Sequence, residues 1–212
     1  MQVTLRIYHN KSFHHIEVHF KHERRYTIDV MYPKTSGKFV EPKVVVSHFH
    51  LHEGDSVGDF GAGSGFFMKP LADAVGKSGV VYMSDIQKNL VDSLGIQARE
   101  LRLTNIRPIW CDLESIGSTK LKDNFLDVGL LSNTLFQLAH KDIALTEVAR
   151  TLRKGAKLFV IDWSDSFGGL GPRPSEIITE TLAKSIIEKN GFVFERSFTA
   201  GDHHYGLAFR KV

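Results

Sequence analysis

From Phe39 to the C-terminus, strand-like and helix-like segments alternate five times, and two strands then follow in succession. Parallel neighbours need a crossover connection, usually a helix, so this alternation demands an α/β fold: a mostly parallel sheet with helices on both faces. The predicted segments begin with a helix over Glu41–Phe49, with Pro42 at an allowed N-terminal position, and a strand over Asp55–Phe60. A helix over Gly65–Val75 closes on Gly76, with Pro70 kinking it or marking a shorter first turn. Strands follow at Gly79–Ser84, Ile106–Cys111, Phe125–Leu131 and Ala156–Trp163. Between them lie helices over Gln87–Leu103, weakened by Gly95, and over Lys141–Leu152, ended by Arg153-Lys154-Gly155. The last helix covers Ser175–Asn190, with Ser175 as N-cap. The final strands, Phe192–Phe198 and His204–Arg210, are joined by five residues, too few for a parallel crossover, so they form an antiparallel hairpin.

At 212 residues the chain holds one domain of ordinary size with a short appendage. No apolar run approaches the ~20 residues of a membrane span, and the N-terminus lacks the apolar core of a secretory signal. The single cysteine, Cys111, excludes an intrachain disulfide and a CxxC metal site, so a reducing, cytoplasmic location is expected. Residues 1–34 hold six Lys/Arg against three acids, which equals the +3 of the whole chain, so the rest is neutral and has no basic stripe for nucleic acid. The same segment alternates apolar residues (Val3, Leu5, Ile7; Ile16, Val18, Phe20; Tyr26, Ile28, Val30) and carries His9, His14, His15, His19 and His22. His15 and His19 could pair on a metal if helical, but the alternation argues for strand and no acid or cysteine completes a set, so no metal is expected. Residues 1–34 are therefore read as an extension, weakly structured or outside the native chain if translation starts at Met31, and residues 35–212 as the working domain.

In such a sheet, ligands bind beyond the carboxyl ends of the strands. The first strand runs into Asp59-Phe60-Gly61-Ala62-Gly63-Ser64-Gly65, where alternating glycines let backbone approach a ligand closely. Asp85 ends the second strand, placed to accept hydrogen bonds from two ribose hydroxyls. Asp112 and Leu113 follow the third, Ser132, Asn133 and Thr134 the fourth, and Asp162, Trp163 and Asp165 the fifth. One such acid would be explained by helix capping; four in register with a glycine loop point to a ligand. The dinucleotide fingerprint GxGxxG fails, because its third glycine would be Phe66 or Met68, and no Gly-Lys-Ser/Thr follows for a P-loop. Asp59 would also repel a pyrophosphate.

Asp59-x-Gly61-x-Gly63-x-Gly65 resembles the first motif of the class I S-adenosylmethionine-dependent methyltransferases, and Asp85 matches that family's ribose-binding acid. Cys111-Asp112-Leu113 resembles its adenine-binding segment, Asp127–Asn133 its fourth-strand motif, and Leu152–Leu158 its turn into the fifth strand, with Lys154 and Ala156 in place of Pro and Gly. The resemblance covers roughly Phe39 to Val212 and is nearest to the broad subgroup of small-molecule methyltransferases that includes the quinone-biosynthesis C-methyltransferases. It implies a Rossmann-like seven-stranded sheet of order 3-2-1-4-5-7-6 with the last strand antiparallel. It also implies S-adenosyl-L-methionine as cofactor, held by Asp59, Phe60, Gly61, Ala62, Gly63, Gly65, Asp85, Ile86, Asp112, Leu113 and Asn133. The expected activity is methyl transfer by in-line displacement to a small-molecule acceptor, releasing S-adenosylhomocysteine.

On the acceptor side, Gln137, Trp163 and Tyr205 are candidate contacts, and His203, His204 and Asp165 candidate catalytic groups; a plain turn histidine is the competing reading. Phe167–Pro174 reads as a lid-like loop or a plain crossover. The amino-directed DNA methyltransferase motif is missing after strand four, where Ser132-Asn133-Thr134-Leu135 stands, and one cysteine is too few for arsenite chemistry. Two alternatives stay open: an RNA or protein methyltransferase using the basic N-terminal segment, and a non-catalytic cofactor-binding module acting through a partner. Nucleic acid is not the expected partner, and the expected assembly is a monomer or homodimer.

Overall fold

A computed structural model describes the backbone of residues 3–10, 13–20 and 25–30, and the whole chain at 40–167 and 171–212. It divides into two units, residues 1–37 and 38–212. In the first, β1 (Val3–Asn10), β2 (Phe13–Phe20) and β3 (Arg25–Val30) form an antiparallel sheet in that order. Met31, His22 and the side chains of His9, His14, His15 and His19 lie outside the described residues.

The second unit runs α1 (Pro42–Ser47), β4 (Ser56–Phe60), α2 (Met68–Val75), β5 (Val80–Asp85), α3 (Lys88–Glu100), β6 (Ile106–Trp110), β7 (Leu126–Ser132), α4 (Lys141–Thr151), β8 (Leu152–Trp163), α5 (Glu180–Lys189), β9 (Phe192–Thr199) and β10 (His204–Lys211). Its sheet has the order β6-β5-β4-β7-β8-β10-β9, which is 3-2-1-4-5-7-6 counted within the unit. β10 alone is antiparallel to its neighbours β8 and β9. The glycine loop thus leaves the central strand, and the chain reverses direction across the sheet between β4 and β7.

Strand alternation builds two cores. Val57, Met83, Leu130, Phe159 and Ile161 face α1, α2 and α3 through Val45, Leu71 and Leu94. Phe60, Leu131, Leu158, Val160 and Phe209 face α4 and α5 through Leu145 and Ile187. Residues 158–162 of β8 are at most 2% exposed, as a strand covered on both faces requires.

Three sequence expectations are corrected. The helix after the glycine loop starts at Met68, so Pro70 sits in its first turn, where its missing N–H costs nothing. Arg153-Lys154-Gly155 do not close α4, which stops at Thr151; they belong to β8, where pairing with β7 jumps from Leu126↔Leu152 to Val128↔Lys157. Gly155, at φ +79°, absorbs that bulge. Ser175 does not cap the last helix, because it lies in a separate 3₁₀ turn, Pro174–Glu176. Ile177 is extended, and Thr179 caps α5 by accepting from Leu182 N at 3.3 Å.

Candidate active site

The carboxyl ends of β4, β5, β6 and β7 enclose a cavity of about 270 Å³, bordered by Gly61, Gly63, Asp85, Ile86, Leu113 and Thr134. Gly61 has φ +80°, and a Cβ there would come within 2.4 Å of Thr134 Oγ1. No other residue fits this close crossing of the loop over β7's end. The loop is tied to β5: Gly61 N and Ala62 N donate to Ser84 O, both at 2.9 Å. The Asp85 carboxylate accepts from Gly63 N at 2.9 Å and from Gln87 N at 2.8 Å, so one side chain fixes both the glycine loop and the entry to α3.

Asp59 is 2% exposed, and its Oδ1 has no hydrogen-bond partner. Burial, reinforced by the nearby Asp85, pushes its carboxyl up to about 7. A buried anion without a counter-charge is costly and gives way to the neutral form. The arrangement therefore suits a ligand that brings a positive group. Asn133 repeats the pattern: it sits at φ +52°, a conformation Asn tolerates, with a buried and unpartnered Oδ1.

On the far wall, Asp112 accepts from Glu114 N at 2.9 Å, and Leu113 is buried. A brace from α4 holds this arm. Glu147, fully buried, accepts from Gly117 N (2.7 Å) and Thr119 Oγ1 (2.6 Å), and pairs with Arg150 at 2.8 Å. These bonds hold the Glu147 carboxyl down to about 2 despite burial, which opposes them. Glu114 ties the same arm to the start of α4 through Ala139 N (2.8 Å) and His140 N (2.7 Å).

At the ends of β8 and β10, His203 Nδ1 lies 2.9 Å from Asp165 Oδ1, and Phe167 stacks on His203 at 4.0 Å. Asp162 is buried, pushed up to about 6, and accepts from Phe136 N and Trp163 N. His204 packs against Trp163 at 4.2 Å, with both ring nitrogens unpartnered, and burial lowers it to about 4. Tyr205 is buried with its hydroxyl unpartnered, and its pKa is raised for the same reason. Gly168, Gly169 and Leu170 of the neighbouring loop lie outside the described residues.

Of the sequence-predicted donor residues, Gly61, Gly63, Asp85, Ile86, Asp112 and Leu113 line the one cavity, as does Gln137. Asp59, Phe60, Ala62, Gly65 and Asn133 are not among its lining residues, and neither are Asp165, Trp163, His203, His204 and Tyr205. Phe60 turns its ring into the α4/α5 core instead, and Gly65 packs on Leu94. Sequence reading missed Thr134 as a lining residue although it stands at a strand end, and missed Glu147 altogether, since nothing local marks a buried acid on an amphipathic helix. Among the described residues no group of three or more His, Cys, Asp or Glu side chains is arranged to hold a metal ion, and no helix is long and apolar enough to cross a membrane.

This order of strands, with a glycine loop at the switch point and acids at successive strand ends, defines a doubly wound protein that binds a nucleoside-bearing cofactor. A family model described as methyltransferase domain matches residues 51–202, most of the chain. The chain belongs to that family and has the fold of the class I S-adenosylmethionine-dependent methyltransferases. The ubiquinone/menaquinone biosynthesis C-methyltransferase UbiE of Chromobacterium violaceum is 34% identical over 133 residues, covering 60% of this chain and 53% of that protein. The chain spans about half the length of the curated relatives it matches. A solved S-adenosylmethionine-dependent methyltransferase from Aquifex aeolicus is 29% identical with a TM-score of 0.76, covering 82% of this chain and 91% of that one. A [4+2]-cyclase, SpnF, shares the fold at 16% identity and a TM-score of 0.68. The fold alone therefore does not fix the chemistry.

Proposed function

We propose that this protein transfers a methyl group from S-adenosylmethionine to a small-molecule acceptor by in-line displacement. The observation that carries the reading is the buried, unpartnered Asp59 Oδ1 next to Asp85, at the base of a loop whose backbone admits a ligand. Phosphate would be repelled there, whereas an ammonium or a sulfonium would be held. The relatives named for quinone biosynthesis support a small acceptor.

Bound S-adenosylmethionine supplies an activated methyl on a positively charged sulfur. In this reading Asp59 faces the positive amino-acid end of the donor. Asp85 turns from Gly63 N and Gln87 N toward the ribose hydroxyls, and Asp112 with Leu113 borders the adenine. Ile86, 61% exposed, offers the base an apolar surface. Asn133, between the glycine loop and β8, lies where donor and acceptor meet. Alignment of two bound molecules supplies about 7–11 kcal/mol of the barrier, so a large catalytic apparatus is not required. Where the acceptor must lose a proton, the His203–Asp165 pair is the base, Asp165 orienting the imidazole at 2.9 Å.

Calorimetry with S-adenosylhomocysteine tests the reading: binding is expected, and Asp85→Ala should weaken it tenfold or more. Absence of binding to the wild-type chain overturns the proposal.

A further inference from the structure

Among the described residues, the buried side-chain polar atoms without a partner are Asp59 Oδ1, Asn133 Oδ1, both ring nitrogens of His204 and Tyr205 Oη. All of them lie at the carboxyl edge of the sheet, where β4 and β7 end and antiparallel β10 begins. Pairing places three side chains on one face. Asp59 pairs with Leu130 and Leu130 with Phe159; Trp163 is two alternations beyond Phe159, and it pairs with His204. Trp163 and His204 therefore share the face that carries Asp59.

His204 is 8% exposed. A neutral imidazole offers one N–H and one acceptor nitrogen, and leaving such groups dry and unmatched costs about 1–3 kcal/mol. Trp163 packs against the ring at 4.2 Å, and Gly171 packs closely on Trp163: a Cβ on Gly171 would come within 2.7 Å of the indole. The ring is thus packed against an aromatic neighbour with its hydrogen-bonding capacity unspent. Among the described residues, the charges nearest His204 are already engaged: Asp165 pairs with His203, Asp162 accepts from Phe136 N and Trp163 N, and Asp59 on the same face is assigned to the donor. An ionic group buried here would go unpaired and be penalised heavily.

Resting on the methyltransferase reading, we infer that His204, held by Trp163, is the specificity-determining anchor of the methyl acceptor, and that the acceptor is an uncharged ring compound bearing a hydroxyl or carbonyl. The ring body meets the aromatic residues, and its oxygen meets an imidazole nitrogen. His204 recognises the acceptor rather than acting as its base, because burial keeps the imidazole neutral and weakly basic.

Three probes that differ chiefly in charge test this on the full chain saturated with S-adenosylhomocysteine: p-cresol (neutral), tyramine (cationic) and 4-hydroxybenzoate (anionic). Titration calorimetry should show p-cresol binding at least tenfold more tightly than either charged probe. His204→Phe should weaken p-cresol tenfold or more while S-adenosylhomocysteine affinity stays within twofold, which also certifies the fold. His204→Gln, which keeps a donor and an acceptor, should fall between. Equal or tighter binding of a charged probe overturns the inference, as do an unchanged p-cresol affinity in His204→Phe and the binding of none of the three while S-adenosylhomocysteine binds. Loss of S-adenosylhomocysteine binding by the wild-type chain would instead refute the methyltransferase reading beneath it.

Discussion

Donor binding should expel a proton from Asp59. In the free protein this carboxyl is held at about 7, first by burial and then by Asp85. Its neighbours in the sheet, Met83 on β5 and Leu130 on β7, bring no charge. A donor that places an ammonium beside Asp59 favours the anion and pulls its pKa far below 7. Below pH 7 the donor must displace a proton to bind; above pH 7 it need not. Apparent affinity for S-adenosylhomocysteine, whose ammonium persists across this range, should therefore be flat above about pH 8 and fall about tenfold by pH 6, ~1.4 kcal/mol in all. Calorimetry in two buffers of different ionisation enthalpy should report about half a proton released at pH 7 and nearly one at pH 6.

The free protein should show the reverse dependence. An acid whose folded pKa lies above its ordinary 3.8 destabilises the fold as pH rises between 3.8 and about 7, by ~4 kcal/mol in total. Asp59→Asn should abolish both effects: its melting temperature should be higher than wild type at pH 8, and its donor affinity should be weaker and independent of pH. A wild-type affinity that stays level from pH 6 to 8, with no buffer-dependent heat, would refute the assignment of Asp59 to the donor's positive end.

Three further outcomes follow from the geometry. Glu147→Gln takes the buried carboxylate from Arg150, which keeps Asp123, and loosens the Gly117–Thr119 arm, so urea melts at pH 7 should show a loss of about 1–3 kcal/mol with weaker donor binding. Because Glu147 is held at about 2 rather than 4.5, its contribution is full above pH 4.5 and disappears as pH falls toward 2, so an acid titration of wild type should lose up to about 3 kcal/mol in that window that the Gln variant does not. Gly61→Ala forces both a left-handed alanine and a 2.4 Å clash with Thr134 Oγ1, and should lower stability by about 1–3 kcal/mol and abolish S-adenosylhomocysteine binding in calorimetry. Thr179→Ala removes the cap of α5 and should cost about 1 kcal/mol in thermal melts without touching donor affinity.

The sheet was legible because its rules are local. Runs such as Leu158–Ile161 declare a doubly covered strand, and the four residues between β9 and β10 permit one connection only. Boundaries were legible only where a single residue decides them. Gly76 ends α2 at φ +65° as expected, whereas Arg153-Lys154-Gly155 carry the cations and glycine of a helix end yet lie in a strand bulge. Ser175 and Thr179 offer the same capping chemistry four residues apart, and the extended backbone at Ile177, not either side chain, selects Thr179.

The site divides along the same line. Its donor half depends on backbone: Gly61 and Gly63 must sit at positive φ, and Asp85 must end a strand to reach Gly63 N, so the pattern is written in consecutive residues. The acceptor half inferred above depends on side chains that meet only through sheet order. Trp163 and His204 are 41 positions apart and touch because β10 runs antiparallel beside β8. That difference has a consequence for evolution of function on this fold. Exchanging His204 or its partner leaves the glycine loop and Asp85 untouched, so the acceptor can change while the donor stays. Substitutions at Trp163 and His204 should accordingly redirect which ring is methylated at nearly constant affinity for S-adenosylhomocysteine, whereas no substitution at Gly61 should be able to do so.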